Sequence, residues 1–259
     1  MDLGISGRKA IVCASSRGLG RGCAEALARA GCDIIINGRD EAALSQTADA
    51  IIKATGVNVT PVIADVSTPQ GQKALLEACP DPDILVNNNG GPPRRDYKEL
   101  DREKMLAGIV QNMVTPIELI QQVVDRMCER NFGRIVNITS LSVRMPIEGL
   151  DLSSGARAGL TAFLAGVSRT IADRNVTINN ILPGKMDTDR LRGGMRMAAE
   201  KSGKTEAEVA AAQVAEIPAK RFGTAEEFGE ACAFLCSRQA GYITGQNLLL
   251  DGGLFASAF

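Results

Sequence analysis

The sequence predicts one doubly wound α/β domain, a mainly parallel seven-stranded sheet with helices on both faces. Three observations carry that expectation. Short apolar runs alternate with helical patterns along the whole chain, as successive βαβ units require. The runs are aliphatic and nearly continuous, as in Ile34-Ile35-Ile36 and Leu248-Leu249-Leu250, which suits strands buried on both faces of a parallel sheet. Neither a linker nor a repeat interrupts the 259 residues, so a single domain is expected over 1–259.

The elements follow in order. A strand at 10–14 (AIVCA) leads to a helix over 18–30, and a strand at 32–37 (CDIIIN) to a helix over 40–54. The run VTPVIAD at 59–65 precedes a helix over 68–79. The run DILVNN at 83–88 leads, after a loop, to one long helix over about 101–130. GRIVNITS at 133–140 is followed by a helix over about 155–173, and NVTINNILPG at 175–184 by an irregular stretch. A helix at 224–236 and the strand QNLLLD at 246–251 close the series. The stretch 187–217, rich in Gly, Met, Lys and Glu, breaks the rhythm and reads as one or two mobile surface helices. Ligands in such folds bind beyond the carboxyl ends of the strands, so this segment is either a lid over the site or a plain surface insertion.

Composition excludes several classes. Aromatics supply only 3% of the residues and Trp none, so the core is aliphatic. Net charge is −1 with no block of like charges, which offers no electrostatic grip on nucleic acid or an anionic membrane. The longest apolar runs are strand-sized, far short of the ~20 residues of a membrane span. The opening MDLGISGRK has no apolar signal core. Seven scattered Cys without any His make no zinc site, and Cys232 and Cys236 read as small buried hydrophobes in a reduced, cytoplasmic protein. No metal is expected.

The chemistry-bearing motifs begin at the first strand–helix turn, Ala14-Ser15-Ser16-Arg17-Gly18-Leu19-Gly20. Glycines at 18 and 20 let the backbone approach a diphosphate, and the helix N-terminus directs free N–H groups at it. That is the Rossmann arrangement, with Ala14 where a first glycine is expected; a methyl group is small enough for binding to survive. The second strand ends Asn37-Gly38-Arg39, without the acid that would hold the ribose 2′-OH of NAD(H). Arg17 and Arg39 are placed to bracket a 2′-phosphate, so NADP(H) is favoured over NAD(H). Asp40, one place later, suits a helix cap.

With these residues the chain resembles the short-chain dehydrogenase/reductase family, on its 3-oxoacyl-carrier-protein-reductase-like branch. The resemblance extends through Asp65-Val66, Asn87-Asn88-Asn89-Gly90, Asn112, Ser140, Pro183-Gly184 with Thr188, and the closing YITGQ and DGG. It implies an adenine contact at Asp65 and Val66 and cofactor contacts from Asn88, Asn89, Gly90, Pro183, Gly184 and Thr188. It also implies a homo-oligomer, tetramer or dimer, acting on a small-molecule substrate. The family's reaction uses Asn, Ser and a Tyr-x-x-x-Lys pair. Here that window reads Ser153-Ser154-Gly155-Ala156-Arg157, and neither Tyr97 nor Tyr242 is followed four residues on by Lys.

The substitution matters because a positioned acid is worth ~10²–10⁴-fold in such a reaction. A serine hydroxyl is a weak, short acid, and an arginine keeps its proton. Arg157 would hold the nicotinamide ribose and supply charge. The replacement donor is a water held by Ser140, Ser153 and Asn112, or Tyr97, or Lys185 beside the nicotinamide. Arg144, Glu148 and Asp151 face the substrate pocket and suit an anionic or polar substrate. Two other functions stay open: a catalytically silent nucleotide-binding protein, such as a redox sensor or assembly subunit, and non-redox chemistry in the same pocket.

Overall fold

The structure is a computed structural model and describes residues 2–257; Met1, Ala258 and Phe259, at the ends of the expected domain, lie outside them. Seven strands form one sheet in the order β3-β2-β1-β4-β5-β6-β7, all parallel. They are β1 Lys9–Val12, β2 Asp33–Gly38, β3 Val59–Ile63, β4 Ile84–Asn87, β5 Gly133–Ile138, β6 Val176–Pro183 and β7 Asn247–Leu250. The order reverses between β1 and β4, and connections leaving in opposite directions open a crevice at the strands' carboxyl ends. Pro61, which cannot donate to a ladder, sits in β3 at the sheet edge, where no further strand needs its N–H.

Alternate strand residues feed two cores. Val12, Ile34, Ile36, Ile84, Val86 and Val136 pack with Leu27, Leu44 and Phe228, from helices α1 Gly18–Arg29, α2 Glu41–Thr55 and α9 Ala225–Cys236. Ile11, Ile35, Leu85 and Ile135 pack on the other face. Their partners include Leu75, Leu119, Val123 and Leu160, from α3 Pro69–Ala78, α5 Thr115–Glu129 and α6 Asp151–Thr170. This is the doubly wound, single-domain layout that the alternation predicts.

Two helices differ from the sequence expectation in ways that shape the site. The long helix over 101–130 is broken: α4 Arg102–Ile109 passes through a π-turn at Val110–Val114 before α5. Thr115 N donates to Val110 O, one residue beyond the α register. In that register Pro116 has no N–H to give Gln111, so the Gln111 carbonyl accepts from Asn89 Nδ2 at 3.3 Å. Such π-turns cluster at functional sites, and this one carries Asn112. Helix α6 starts at Asp151 rather than near 155 and ends at Thr170. Ser153 and Arg157 therefore share one helix face, a turn apart.

The 187–217 stretch forms two helices, α7 Asp189–Ser202 and α8 Glu206–Glu216. Helix α7 buries Met195 and Ala199, whereas α8 buries nothing. Among the described residues no helix is long and apolar enough to cross a membrane.

Candidate active site

The crevice at the strand switch point gathers most of the residues singled out by sequence. At the N-terminus of α1, Arg17 is the cap residue, no side chain caps the helix, and the first turn holds no acid. Its leading N–H groups are left for an outside anion. Gly20 is tied to this turn by space, because a Cβ there would lie 2.4 Å from the Ala14 carbonyl oxygen and 2.8 Å from Asn88 Nδ2. Ala14 itself takes φ +44°, in the left-handed region that a glycine would occupy without strain. Its carbonyl accepts from Asn88 Nδ2 at 3.1 Å, which ties the turn to β4. Thr188, whose hydroxyl caps α7, brings Cγ2 to 3.7 Å from where a Gly18 Cβ would stand.

The hydroxyls of the turn divide. Ser15 Oγ is buried, donating to Val12 O at 2.7 Å and accepting from Asn37 N at 3.0 Å. It links β1 to β2 and is not turned toward a phosphate. Ser16, half-buried beside Gly38, stands nearer the second strand's end.

Arg17 and Arg39 are both engaged with acids. Arg17 Nη2 lies 2.6 Å from Asp40, which also caps α2. Arg39 Nη1 lies 3.5 Å from Asp65. The carboxyl of Asp65 is held below its usual range, first by the Ser67 hydroxyl and then by the Ser67 N–H and Arg39. Val66 is buried in the second core, beneath that position.

Deeper in, Arg157 is 8% exposed and makes no ion pair among the described residues. Its Nη1 donates to Ile138 O at 2.5 Å and its Nε to Ser153 Oγ at 3.3 Å, leaving Nη2 without a partner. Burial, and then the neighbouring Arg190, push its guanidinium down to about 10. Ser140, half-buried at the end of β5, accepts from Ser142 N at 3.1 Å.

Beside Arg157 is a cavity of about 20 Å³, walled also by Asn87, Asn112 and Thr115. Asn87 Oδ1, Asn112 Oδ1 and Thr115 Oγ are buried without a hydrogen-bond partner. That volume holds one water, and buried polar atoms of this kind are normally satisfied by one.

Sequence reasoning missed the ladder that ends at this cavity. Asn87, Asn137, Asn180 and Asn247 stand in register on β4 to β7. Each Nδ2 donates to the next Oδ1, at 2.9, 3.0 and 2.8 Å. The signal was there in the repeated Asn near the end of ILVN, GRIVNI and TINN. Unidirectional chains of amides polarise one another, and the free acceptor end is Asn87 Oδ1.

Other candidates fall outside this cluster. Lys185 Nζ is paired with Glu216 Oε2 at 2.5 Å and makes no hydrogen bond to Ser140, Ser153 or Arg157. Tyr97 is 66% exposed on a short 3₁₀ turn, and Tyr242 is fully exposed, so neither phenol stands in the crevice. Arg144 lies exposed 6.0 Å from the Phe255 ring, and Glu148 and Asp151 are exposed. Asn89 and Gly90 lead out of β4, and Pro183 and Gly184 end β6 at the same rim. No group of metal-ligating side chains occurs among the described residues, and all seven cysteines are free. Burial pushes the Cys13 and Cys32 thiols up to about 12, which makes them poor nucleophiles.

The sequence model of the family described as enoyl-(acyl carrier protein) reductase matches residues 13–255. The chain is 32% identical over 257 residues to the 3-oxoacyl-[acyl-carrier-protein] reductase FabG of Vibrio cholerae, covering 98% of this chain and 99% of that protein. Its structure is similar to that of L-sorbose reductase from Gluconobacter frateurii complexed with NADPH and L-sorbose. There the TM-score is 0.94 at 29% identity, with 99% and 100% of the two chains covered. Similar too is YwfH, an NADPH-dependent reductase involved in bacilysin biosynthesis, with TM-score 0.91 and 29% identity over 97% of this chain and all of the other.

Proposed function

The chain belongs to the short-chain dehydrogenase/reductase family, and we propose that within it this chain is an NADP(H)-dependent oxidoreductase with a rebuilt proton-donor site. Its substrate is a small carbonyl compound or the corresponding alcohol. The observation that carries the cofactor reading is the uncapped N-terminus of α1 at the switch point, with Arg17 and Arg39 beside it. The backbone N–H groups of Gly18, Leu19 and Gly20 and the Ser16 hydroxyl suit a diphosphate, and the two arginines suit a 2′-phosphate. Asp65 and Val66 would meet the adenine. Asn88, Asn89, Gly90, Pro183, Gly184 and Thr188 would line the remainder of the cleft.

When bound, the nicotinamide supplies or accepts the hydride. The remaining steps belong to the chain. Ser140 holds the substrate oxygen, and Arg157 holds the nicotinamide ribose and keeps the site positive. Ser153, too short to reach the substrate as a phenol would, leaves room for a water. Asn112 holds a water in the cavity beside Arg157; that water passes a proton to the alkoxide and takes one back from bulk solvent through the crevice, so no hydroxide is left. Support comes from the three unpartnered acceptors there and from the two exposed tyrosines, which leave no phenol for the task. Helices α7 and α8 act as a lid, and the Lys185–Glu216 pair ties the end of α8 back to the crevice rim. Exposed Met105, Leu106, Ile109 and Phe163 on α4 and α6 support a homo-oligomer, tetramer or dimer, and the seven free cysteines suit the reduced cytoplasm.

The test is NADPH oxidation, followed at single turnover against a panel of ketones, aldehydes, imines and enones. Hydride transfer to at least one class supports the proposal. NADPH binding without transfer to any of them favours the silent nucleotide-binding reading, which the loss of both Tyr and Lys motivates.

A further inference from the structure

An asparagine followed by glycine can close on itself, because a residue without a Cβ lets its own backbone nitrogen reach the preceding side-chain carbonyl carbon. The chain holds two such dipeptides, Asn37-Gly38 and Asn89-Gly90. They stand in opposite surroundings.

Asn37 is 1% exposed near the end of β2, and Gly38 is buried in the same strand. Its Nδ2 donates to Val62 O and Ala64 O, both at 3.0 Å, and its Oδ1 accepts from Ala14 N at 3.3 Å. The amide is held by the neighbouring strand and turn, and burial keeps solvent from it.

Asn89 is half-buried in the loop after β4, and Gly90 is exposed. Here the side chain is folded back along the chain. Its Oδ1 accepts from Gly90 N at 2.8 Å, and that N–H has no backbone partner among the described residues. The carbon bonded to this oxygen, Cγ, is the atom that Gly90 N must reach. A Cβ on Gly90 would meet nothing within 4 Å, and Gly91 follows, so little resists the backbone change of ring closure. The amide nitrogen is restrained only by its bond to Gln111 O, which at 3.3 Å is a long one.

We propose that Asn89 is a modification site, converted by water to aspartate and isoaspartate. Gly90 N gives its proton to solvent base and bonds to Asn89 Cγ; the Cγ–Nδ2 bond breaks, and the nitrogen takes up a proton and leaves as ammonia. Water then opens the cyclic imide, at Cγ to give aspartate or at the backbone carbonyl to give isoaspartate. Nothing is oxidised or reduced. Either product puts a carboxylate, which has no proton to donate, in place of the amide that bonds Gln111 O. That carbonyl belongs to the π-turn carrying Asn112, and the turn loses its tie to β4. Conversion is therefore a clock on the crevice. The loss of NADPH affinity that follows rests on the cofactor reading; the conversion itself does not.

The full chain is aged in warm buffer at neutral and at mildly alkaline pH, then mapped by peptide mass spectrometry, with enzymatic methylation marking isoaspartate. Conversion is expected at Asn89, faster at the higher pH, with Asn37 intact in the same sample. Gly90→Ala, whose methyl enters open space, is expected to slow it at least about tenfold, or about 1.4 kcal/mol in the barrier. The converted chain carries extra negative charge and separates by ion exchange. It is expected to bind NADPH about tenfold more weakly than the unconverted chain. The proposal is overturned if Asn89 survives ageing, if Asn37 reacts as fast, or if Gly90→Ala converts at the parent rate. Equal NADPH affinity in the two forms would overturn the clock. Should the fresh chain fail to bind NADPH, the cofactor reading falls, and the peptide map still decides the modification site.

Discussion

Replacing Arg157 by Met separates what the buried cation does for the fold from what it does for the site. Burial, with Arg190 adding to it, lowers the guanidinium to about 10 from 12.5, a penalty on the charged form of about 3 kcal/mol. A methionine of similar length removes that penalty. It also strips the Ile138 carbonyl of a donor at 2.5 Å and Ser153 Oγ of one at 3.3 Å. A buried carbonyl left unpaired costs about 1–3 kcal/mol. The terms oppose each other, so Arg157→Met is expected to unfold in urea within about 2 kcal/mol of the parent chain. NADPH affinity, by contrast, should fall about tenfold through loss of a charge-assisted contact to the ribose. Urea unfolding followed by circular dichroism and NADPH titration by fluorescence give the two numbers. A loss of more than about 4 kcal/mol in stability, with NADPH affinity intact, would show Arg157 to be a structural side chain and refute the role assigned to it.

Three further outcomes follow from the local geometry. Ala14→Gly relieves a left-handed strain of about 1–2 kcal/mol at φ +44° against about 0.4–1 kcal/mol of added chain entropy; the urea midpoint should rise slightly, and a clear fall would contradict the strain. Gly20→Ala places a methyl 2.4 Å from the Ala14 carbonyl, so it should cost about 1–3 kcal/mol and abolish NADPH binding; retained binding would mean that the turn yields. Glu227 has its pKa lowered to about 2 by Arg221 first and the Thr224 N–H next, and it completes the capping box of α9. A depressed acid stabilises above its unfolded pKa near 4.5 and loses that contribution as pH falls through the folded value. Glu227→Gln keeps the capping box and loses the pair with Arg221, so it should reduce stability at pH 7 by about 0.5 kcal/mol, the scale of an exposed pair, and the difference should shrink between pH 4.5 and 2. Thermal melts across that range check it, and a difference that does not change with pH would contradict the ion-pair account.

The sheet, its helices and the glycine turn that opens the first of them were legible in the sequence because they rest on local rules: aliphatic runs of strand length, Gly18 and Gly20 opening a helix, Gly38 and Arg39 closing off the second strand. What stayed hidden depends on neighbours distant in the chain. The π-turn at Asn112 follows from Pro116 together with Asn89, a partner from another loop. The early start of α6 puts Ser153 and Arg157 on one face, which periodicity alone had placed partly in a loop. The ladder from Asn87 to Asn247 needs the strand register before four separate asparagines become one chain. Lys185 and Ser15 look like site residues by position, but Glu216 holds the first, and Val12 with Asn37 holds the second.

The account stands most directly on which dinucleotide the chain binds. Calorimetric titration of NADPH and NADH into the purified protein and into Arg39→Asp tests it. NADPH should bind at least about tenfold more tightly than NADH, the worth of a charge-assisted phosphate contact, and Arg39→Asp should remove that preference by placing a third carboxylate beside Asp40 and Asp65. Binding of neither dinucleotide, or NADH bound as tightly as NADPH by the parent chain, would contradict it.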